Sequence, residues 1–105
     1  MVRLLAAASF LLLTALAGCS GGGGATADVG IHGFAFDPAS LDVDSGTTVV
    51  FTNHEATVHT ATADNGAFDT GNLDEGESYE VDLDAGTYAY HCKLHASMRG
   101  TLVVA

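Results

Sequence analysis

The stretch Tyr90-His91-Cys92-Lys93-Leu94-His95-Ala96-Ser97-Met98-Arg99-Gly100 decides how the rest of this 105-residue chain is read. It places a thiol, an imidazole and a thioether at i, i+3 and i+6, directly after the run Gly86-Thr87-Tyr88-Ala89-Tyr90. Aromatic and β-branched residues opened by a glycine have the composition of a strand. A second such run, Gly100-Thr101-Leu102-Val103-Val104, follows. The three donors therefore sit on a loop whose ends two strands fix. Alternation along Thr87–Cys92 puts Cys92 on the face of Tyr88 and Tyr90, toward the interior, and turns His91 to the opposite face as a surface residue.

Working outward, the same pattern of short strands and turns repeats. Val29–Phe34 reads as a strand running into the Asp37-Pro38 turn, Leu41-Asp42-Val43 alternates, and Asp44-Ser45-Gly46 turns into the β-branched run Thr47–Thr52. Val58–Ala63 is another strand-like run, ended by Asp64-Asn65-Gly66. Phe68 and Leu73 are expected as core anchors of the irregular region up to Glu77, and Ser78–Asp84 alternates polar and apolar residues. Seven or eight short strands with turns about every ten residues predict an all-β sandwich or barrel. No segment has the period of an amphipathic helix.

Thiolate, imidazole and thioether are the donors of a mononuclear copper electron-transfer site, a trigonal His₂Cys set with a long axial Met. Such a site needs a second histidine, and Asn53-His54-Glu55-Ala56-Thr57-Val58-His59 offers two. His59 opens the strand-like run and His54 lies among polar turn residues, so His59 is the expected ligand. His54 and His32 are expected at the surface. The ligand set is then His59, Cys92, His95 and Met98, with His95 partly exposed and nearest to any electron partner. Each has a plainer reading: Cys92 as a small buried hydrophobe, Met98 as core filling, His95 as a surface histidine.

The loop after Gly-Thr-Tyr-x-Tyr-His, the Met-Arg-Gly that follows and the closing apolar strand resemble the cupredoxins, or blue-copper proteins. The short step from second His to Met is similar to the amicyanin branch, and the resemblance reaches back through Asn-x-Glu-Ala-x-x-His over residues 29–105. It implies a Greek-key sandwich, one copper per chain cycling between Cu(II) and Cu(I), and His59 after the Asn-x-Glu-Ala motif as a ligand. Two departures stand out. The amicyanin pattern has Pro on both sides of the second His, where this chain has Leu94 and Ala96; the Leu94 N–H that Pro lacks is a candidate donor to the Cys92 sulfur. Thr60 replaces the Asn that relatives often carry after the first His, which leaves open the bond that Asn makes across to the ligand loop.

The first 18 residues stand apart. Arg3, the apolar run Leu4–Leu16 and Leu16-Ala17-Gly18-Cys19 read as an export signal too short to span a membrane. Their ending resembles the bacterial lipoprotein cleavage box, in which Cys19 is lipidated and becomes the N-terminus. No twin arginine is present, so export unfolded with metal loading outside the cytoplasm is expected. Four glycines, Gly21–Gly24, then form a flexible tether. The expected organisation is a signal at 1–18, the lipidated cysteine and tether at 19–27, and the copper domain at 28–105. With Cys19 and Cys92 both assigned, no disulfide forms.

All 13 acidic residues lie at or after Asp28, and loss of Arg3 with the leader takes the formal charge from −10 to −11. Such a surface excludes nucleic acid as a natural partner. The acidity suits a strongly solvated, salt-adapted surface, or the steering of a basic partner. The expected role is a monomeric, extracytoplasmic (periplasmic or cell-surface), lipid-anchored one-electron carrier. It is not an enzyme, because four protein ligands leave no open position for substrate. The resemblance implies redox-protein partners: a cytochrome c, a dehydrogenase, or a terminal oxidase or reductase. A copper delivery or storage protein is the alternative, disfavoured because Met98 is the chain's single methionine beyond the initiator. A structural zinc site on His59, Cys92 and His95 is a third reading, disfavoured by the higher affinity of Cu(II) for the same ligands.

Overall fold

The computed structural model describes residues 25–105. The expected leader, Cys19 and the glycine run lie outside the described residues. Eight strands follow in order: β1 Thr26–His32, β2 Ala35–Asp37, β3 Ser40–Val43, β4 Thr48–Asn53, β5 Thr62–Ala63, β6 Ser78–Asp82, β7 Gly86–Cys92 and β8 His95–Val104. There is no helix among the described residues. The strands form two four-stranded sheets, ordered β2-β1-β4-β6 and β3-β8-β7-β5. Pairs β1·β4 and β3·β8 are parallel and the others antiparallel. The all-β sandwich expected from the alternating runs is therefore the fold observed.

Alternation decides which residues meet between the sheets. Val29 and Ile31 of β1, Val49 and Phe51 of β4 and Val81 of β6 face Tyr90 and Cys92 of β7 and Leu102 and Val104 of β8. Phe36 and Phe51 set their ring edges against Tyr90 at centroid distances of 4.7 and 5.4 Å. Phe68 and Leu73 join the same core from the long connection between β5 and β6, as expected. The edge strand β6 buries Val81 alone, and Tyr79 stays exposed despite its apolar phase.

Several element boundaries differ from the sequence reading. The first strand does not run on through Phe34: it stops at His32, because Gly33 and Phe34 turn the chain back into β2, which pairs antiparallel with it. β1 starts at Thr26, not Val29, because Thr26 and Ala27 pair with Thr48 and Val49 at the edge of the neighbouring strand. The expected strand Val58–Ala63 contracts to Thr62–Ala63; at His59 the chain makes an isolated bridge to Leu73, and Thr62 makes another to Asp69. The largest difference concerns the ligand loop. β8 begins at His95, so only Lys93 and Leu94 separate it from β7, and Cys92 pairs with His95 across the turn. The pairing register shifts between His91 and Cys92, an irregularity of the kind found beside functional sites.

Candidate metal centre

Cys92 ends β7 facing inward, fully buried. His59 is also fully buried, although it lies outside any strand. Its backbone is clamped by a reciprocal pair of hydrogen bonds with Leu73, His59 N–H to the Leu73 carbonyl at 3.3 Å and Leu73 N–H to the His59 carbonyl at 2.8 Å. The loop before it is built by Asn53, whose phase in β4 after Val49 and Phe51 turns it into the core. Its amide donates to the carbonyls of Thr57 and Leu73, both at 2.8 Å, and its Oδ1 accepts the Glu55 N–H at 2.9 Å. A buried amide that serves three backbone groups fixes the path of residues 53–59, because leaving any of them unpaired inside the protein is costly.

With the backbone fixed, the donor atoms converge. The Cys92 Sγ lies 3.8 Å from His59 Nδ1 and 3.6 Å from His95 Nδ1, and the donor atoms of the three residues lie within 4.8 Å of one another. The far ring nitrogen of His59 is spoken for: Nε2 lies 2.7 Å from Glu55 Oε1. The Nε2–H donates to that carboxylate, which leaves the Nδ1 lone pair directed at the sulfur, the tautomer a metal ligand requires. Burial alone would raise the Glu55 pKa, but the Phe34 N–H, the His59 ring and the Gly33 N–H outweigh it and hold the carboxyl below its ordinary range. The acceptor is therefore ionised at neutral pH.

The sulfur has its own donor. Thr60 N–H points at Cys92 Sγ at 3.4 Å, and Leu94, the donor considered from sequence, makes no such bond among the described residues. Thr60 Oγ1 accepts the Lys93 N–H at 2.9 Å. The hydroxyl thus bridges to the turn, which answers what the replacement of Asn by Thr left open. Met98 is buried three residues along β8 from His95, on the core side. His91 faces away, with Nδ1 2.6 Å from Asp64 Oδ1. His32 and His54 are exposed.

Sequence reasoning missed three residues. Asn53 carried a signal, since strand alternation places it with Val49 and Phe51. Glu55 carried a weaker one in its i, i+4 spacing to His59. Phe34 carried none: its ring reaches the site from the β1–β2 turn and stands edge-on to both imidazoles, 5.2 Å from His59 and 5.1 Å from His95.

The donor set, two imidazole nitrogens and a thiolate in a buried setting with a thioether nearby, fits a soft or borderline metal of the copper type and not a hard cation. Comparison with known proteins points the same way. A family model described as a cupredoxin-like domain matches residues 4–104. The chain is 33% identical over 88 residues to chloroplastic plastocyanin of Pisum sativum; the match takes in 69% of this chain, which spans about half (52%) of that relative. A reduced variant of amicyanin has a TM-score of 0.71 at 30% identity, covering 78% of this chain and 84% of that one. A copper-containing nitrite reductase from Thermus scotoductus SA-01 has a TM-score of 0.70 at 29% identity, over 74% of this chain but 22% of that chain.

Proposed function

The chain belongs to the cupredoxin-like domain family, and from that premise we propose that it carries single electrons on one copper ion held by His59, Cys92, His95 and Met98. The observation that carries the reading is the convergence of two imidazole nitrogens on a buried cysteine sulfur, all within 4.8 Å. Bound there, copper supplies a Cu(II)/Cu(I) couple, in a donor set that compromises between the geometries the two oxidation states prefer.

The residues of the chain do the rest. The end of β7 holds Cys92 and the backbone bridge to Leu73 holds His59, so little protein need move when charge changes. Thr60 N–H stabilises electron density on the sulfur, and the Asn53-built loop with Glu55 keeps the His59 Nδ1 free. Met98 tunes the potential more than it adds affinity. His95 is the ligand at the surface, half-buried, and its edge is the short path for an electron to or from a partner.

The partners this reading requires are other redox proteins: a cytochrome c, a dehydrogenase, or a terminal oxidase or reductase. The sequence of the leader, with Cys19 and the glycine run, supports an extracytoplasmic protein anchored by lipid at Cys19. The net charge of −11 for residues 19–105 leaves no role for nucleic acid.

The test is the visible and electron paramagnetic resonance spectrum of the Cu(II) protein beside Cys92→Ser and Met98→Ala. An intense blue charge-transfer band with narrow copper hyperfine splitting, lost in Cys92→Ser and shifted in Met98→Ala, is the expected result. A pale spectrum with wide splitting, unaffected by Cys92→Ser, would overturn the electron-carrier reading and leave copper delivery or a zinc site.

A further inference from the structure

The turn between β1 and β2 is built unlike an ordinary two-residue turn. Gly33 and Phe34 both have positive φ, 61° and 55°, as a type I′ hairpin turn requires. Glycine tolerates this; a bulky aromatic residue there is a backbone outlier, and such outliers persist only where their surroundings hold them. What holds this one is Glu55. Its Oε2 accepts the Gly33 N–H at 2.9 Å and its Oε1 the Phe34 N–H at 3.2 Å, while the same Oε1 takes the His59 Nε2–H at 2.7 Å. One carboxylate thus ties the turn to a ligand imidazole. The result is that the half-exposed Phe34 ring (51%) stands perpendicular to His59 and His95 at once, with interplanar angles of 89° and 87°.

The two imidazoles differ in how they are fixed. His59 has a carboxylate on its far nitrogen, whereas among the described residues the far nitrogen of His95 has no hydrogen-bond partner. Among its neighbours the His95 ring meets the Cys92 sulfur, the tilted His59 ring at 4.9 Å and the perpendicular Phe34 ring. Phe34 is the one of these that belongs to neither the ligand set nor the ligand turn.

We propose that Glu55 and the Gly33-Phe34 turn form a clamp that orders both ligand imidazoles, with Phe34 the positioning residue that holds His95 in its ligand orientation. Resting on the copper reading above, the clamp sets how readily His95 leaves the metal in the reduced state and how far the site must rearrange on electron transfer. It acts in the metal-free protein as well, so it can be tested without copper.

Phe34→Asn is the informative variant, because Asn enters the left-handed region far more readily than Phe does while removing the ring. Its fold stability should match or exceed that of the native protein in urea unfolding, whereas the site should loosen. In the metal-free protein, ring ¹³C relaxation should show His95 more mobile and His59 unchanged. In the Cu(I) protein, transfer of copper to a phenanthroline-type chelator should run roughly threefold to tenfold faster, the scale set by losing aromatic edge contacts. Phe34→Tyr should restore both readouts. Glu55→Gln should raise His95 mobility and also speed solvent exchange of the His59 Nε2–H, with a loss of copper affinity of roughly tenfold or more.

If Phe34→Asn leaves His95 mobility and Cu(I) transfer within twofold of native, Phe34 is a surface aromatic and the proposal falls. It falls equally if Phe34→Tyr fails to restore the two readouts. A native protein without the blue band would sink the electron-carrier reading, yet the metal-free relaxation data would still decide for or against the clamp.

Discussion

Tyr88 and Tyr90 point the same way from β7, yet their hydroxyls have opposite fates. Tyr88 Oη donates to the Asp84 carbonyl at 2.6 Å, tying the strand to the turn before it. Tyr90 is buried among Phe36, Phe51 and Phe68, and its hydroxyl has no partner among the described residues; burial pushes its pKa well up. Removing a satisfied hydroxyl costs stability, whereas removing a buried unsatisfied one does not. Tyr88→Phe is therefore expected to lose about 1 kcal/mol, and Tyr90→Phe to be neutral or to gain up to about 1 kcal/mol, read from urea midpoints at constant m. The same ring explains Gly100. A Cβ there would lie 2.4 Å from Tyr90 Cζ and 2.8 Å from Cε2, so Gly100→Ala should cost about 1–3 kcal/mol by overpacking. Adding Tyr90→Phe should not rescue it, since the obstructing atoms include ring carbons. Recovery in the double variant would show that the hydroxyl alone sets the fit.

At the scale of elements, the site joins one well-specified hairpin to one irregular segment. The β7–β8 hairpin was legible because alternation, the glycine boundaries and the donor spacing all agree; only the start of β8 was misplaced. His95 to Arg99 reads as loop by composition, but pairing with β7 carries the strand on to a two-residue turn. The sequence brought His59 forward as a candidate ligand, and the structure places it beside Cys92 and His95, but the form of its segment was illegible. Its β-branched residues suggest a strand, whereas Asn53, Leu73 and Thr70 take its backbone bonds one by one: Ala61 N–H goes to Thr70 Oγ1 and Thr70 N–H to the Ala61 carbonyl, both at 3.0 Å. Glu55 reaching the turn 21 and 22 residues before it depends on tertiary placement that no local pattern encodes. Thr60 is the joint between the two elements, through its hydroxyl to Lys93 and its amide to Cys92. Thr60→Val keeps the volume and the amide but leaves the Lys93 N–H without its acceptor. A loss of about 1–2 kcal/mol in apo-protein stability is expected, with the Cys92-centred blue band retained but shifted. An unchanged stability would mean that water replaces the hydroxyl at the turn.

Across the whole molecule, charge works against the fold. The described residues contain two permanent cations, and both are committed beside the site: Lys93 Nζ to Asp69 Oδ2 at 2.8 Å and Arg99 to Asp64 Oδ2 at 2.6 Å. Asp69 is held below its ordinary pKa first by the Lys93 bond, and Asp64 first by the His91 bond, with Arg99 adding to it. Both folded values lie below the unfolded ones, so their contribution is present above about pH 4 and is lost as pH falls through the lowered values. These pairs are exposed, so their share is small. Among the described residues the other eleven acidic side chains have no Lys or Arg partner, and at neutral pH their mutual repulsion is relieved by unfolding. Screening should therefore stabilise the protein. Raising salt from 0.01 M to 0.5 M at pH 7 shortens the Debye length from about 30 Å to less than 10 Å and is expected to add about 1 kcal/mol, a rise in Tm of roughly 4–8 °C. The gain should shrink toward the sequence pI of about 4.4, where the carboxylates are partly neutralised. A Tm that falls with salt at pH 7 would instead give the balance to the Asp64 and Asp69 pairs. It would also remove the physical case for a salt-adapted surface, leaving partner steering as the reason for the acidity.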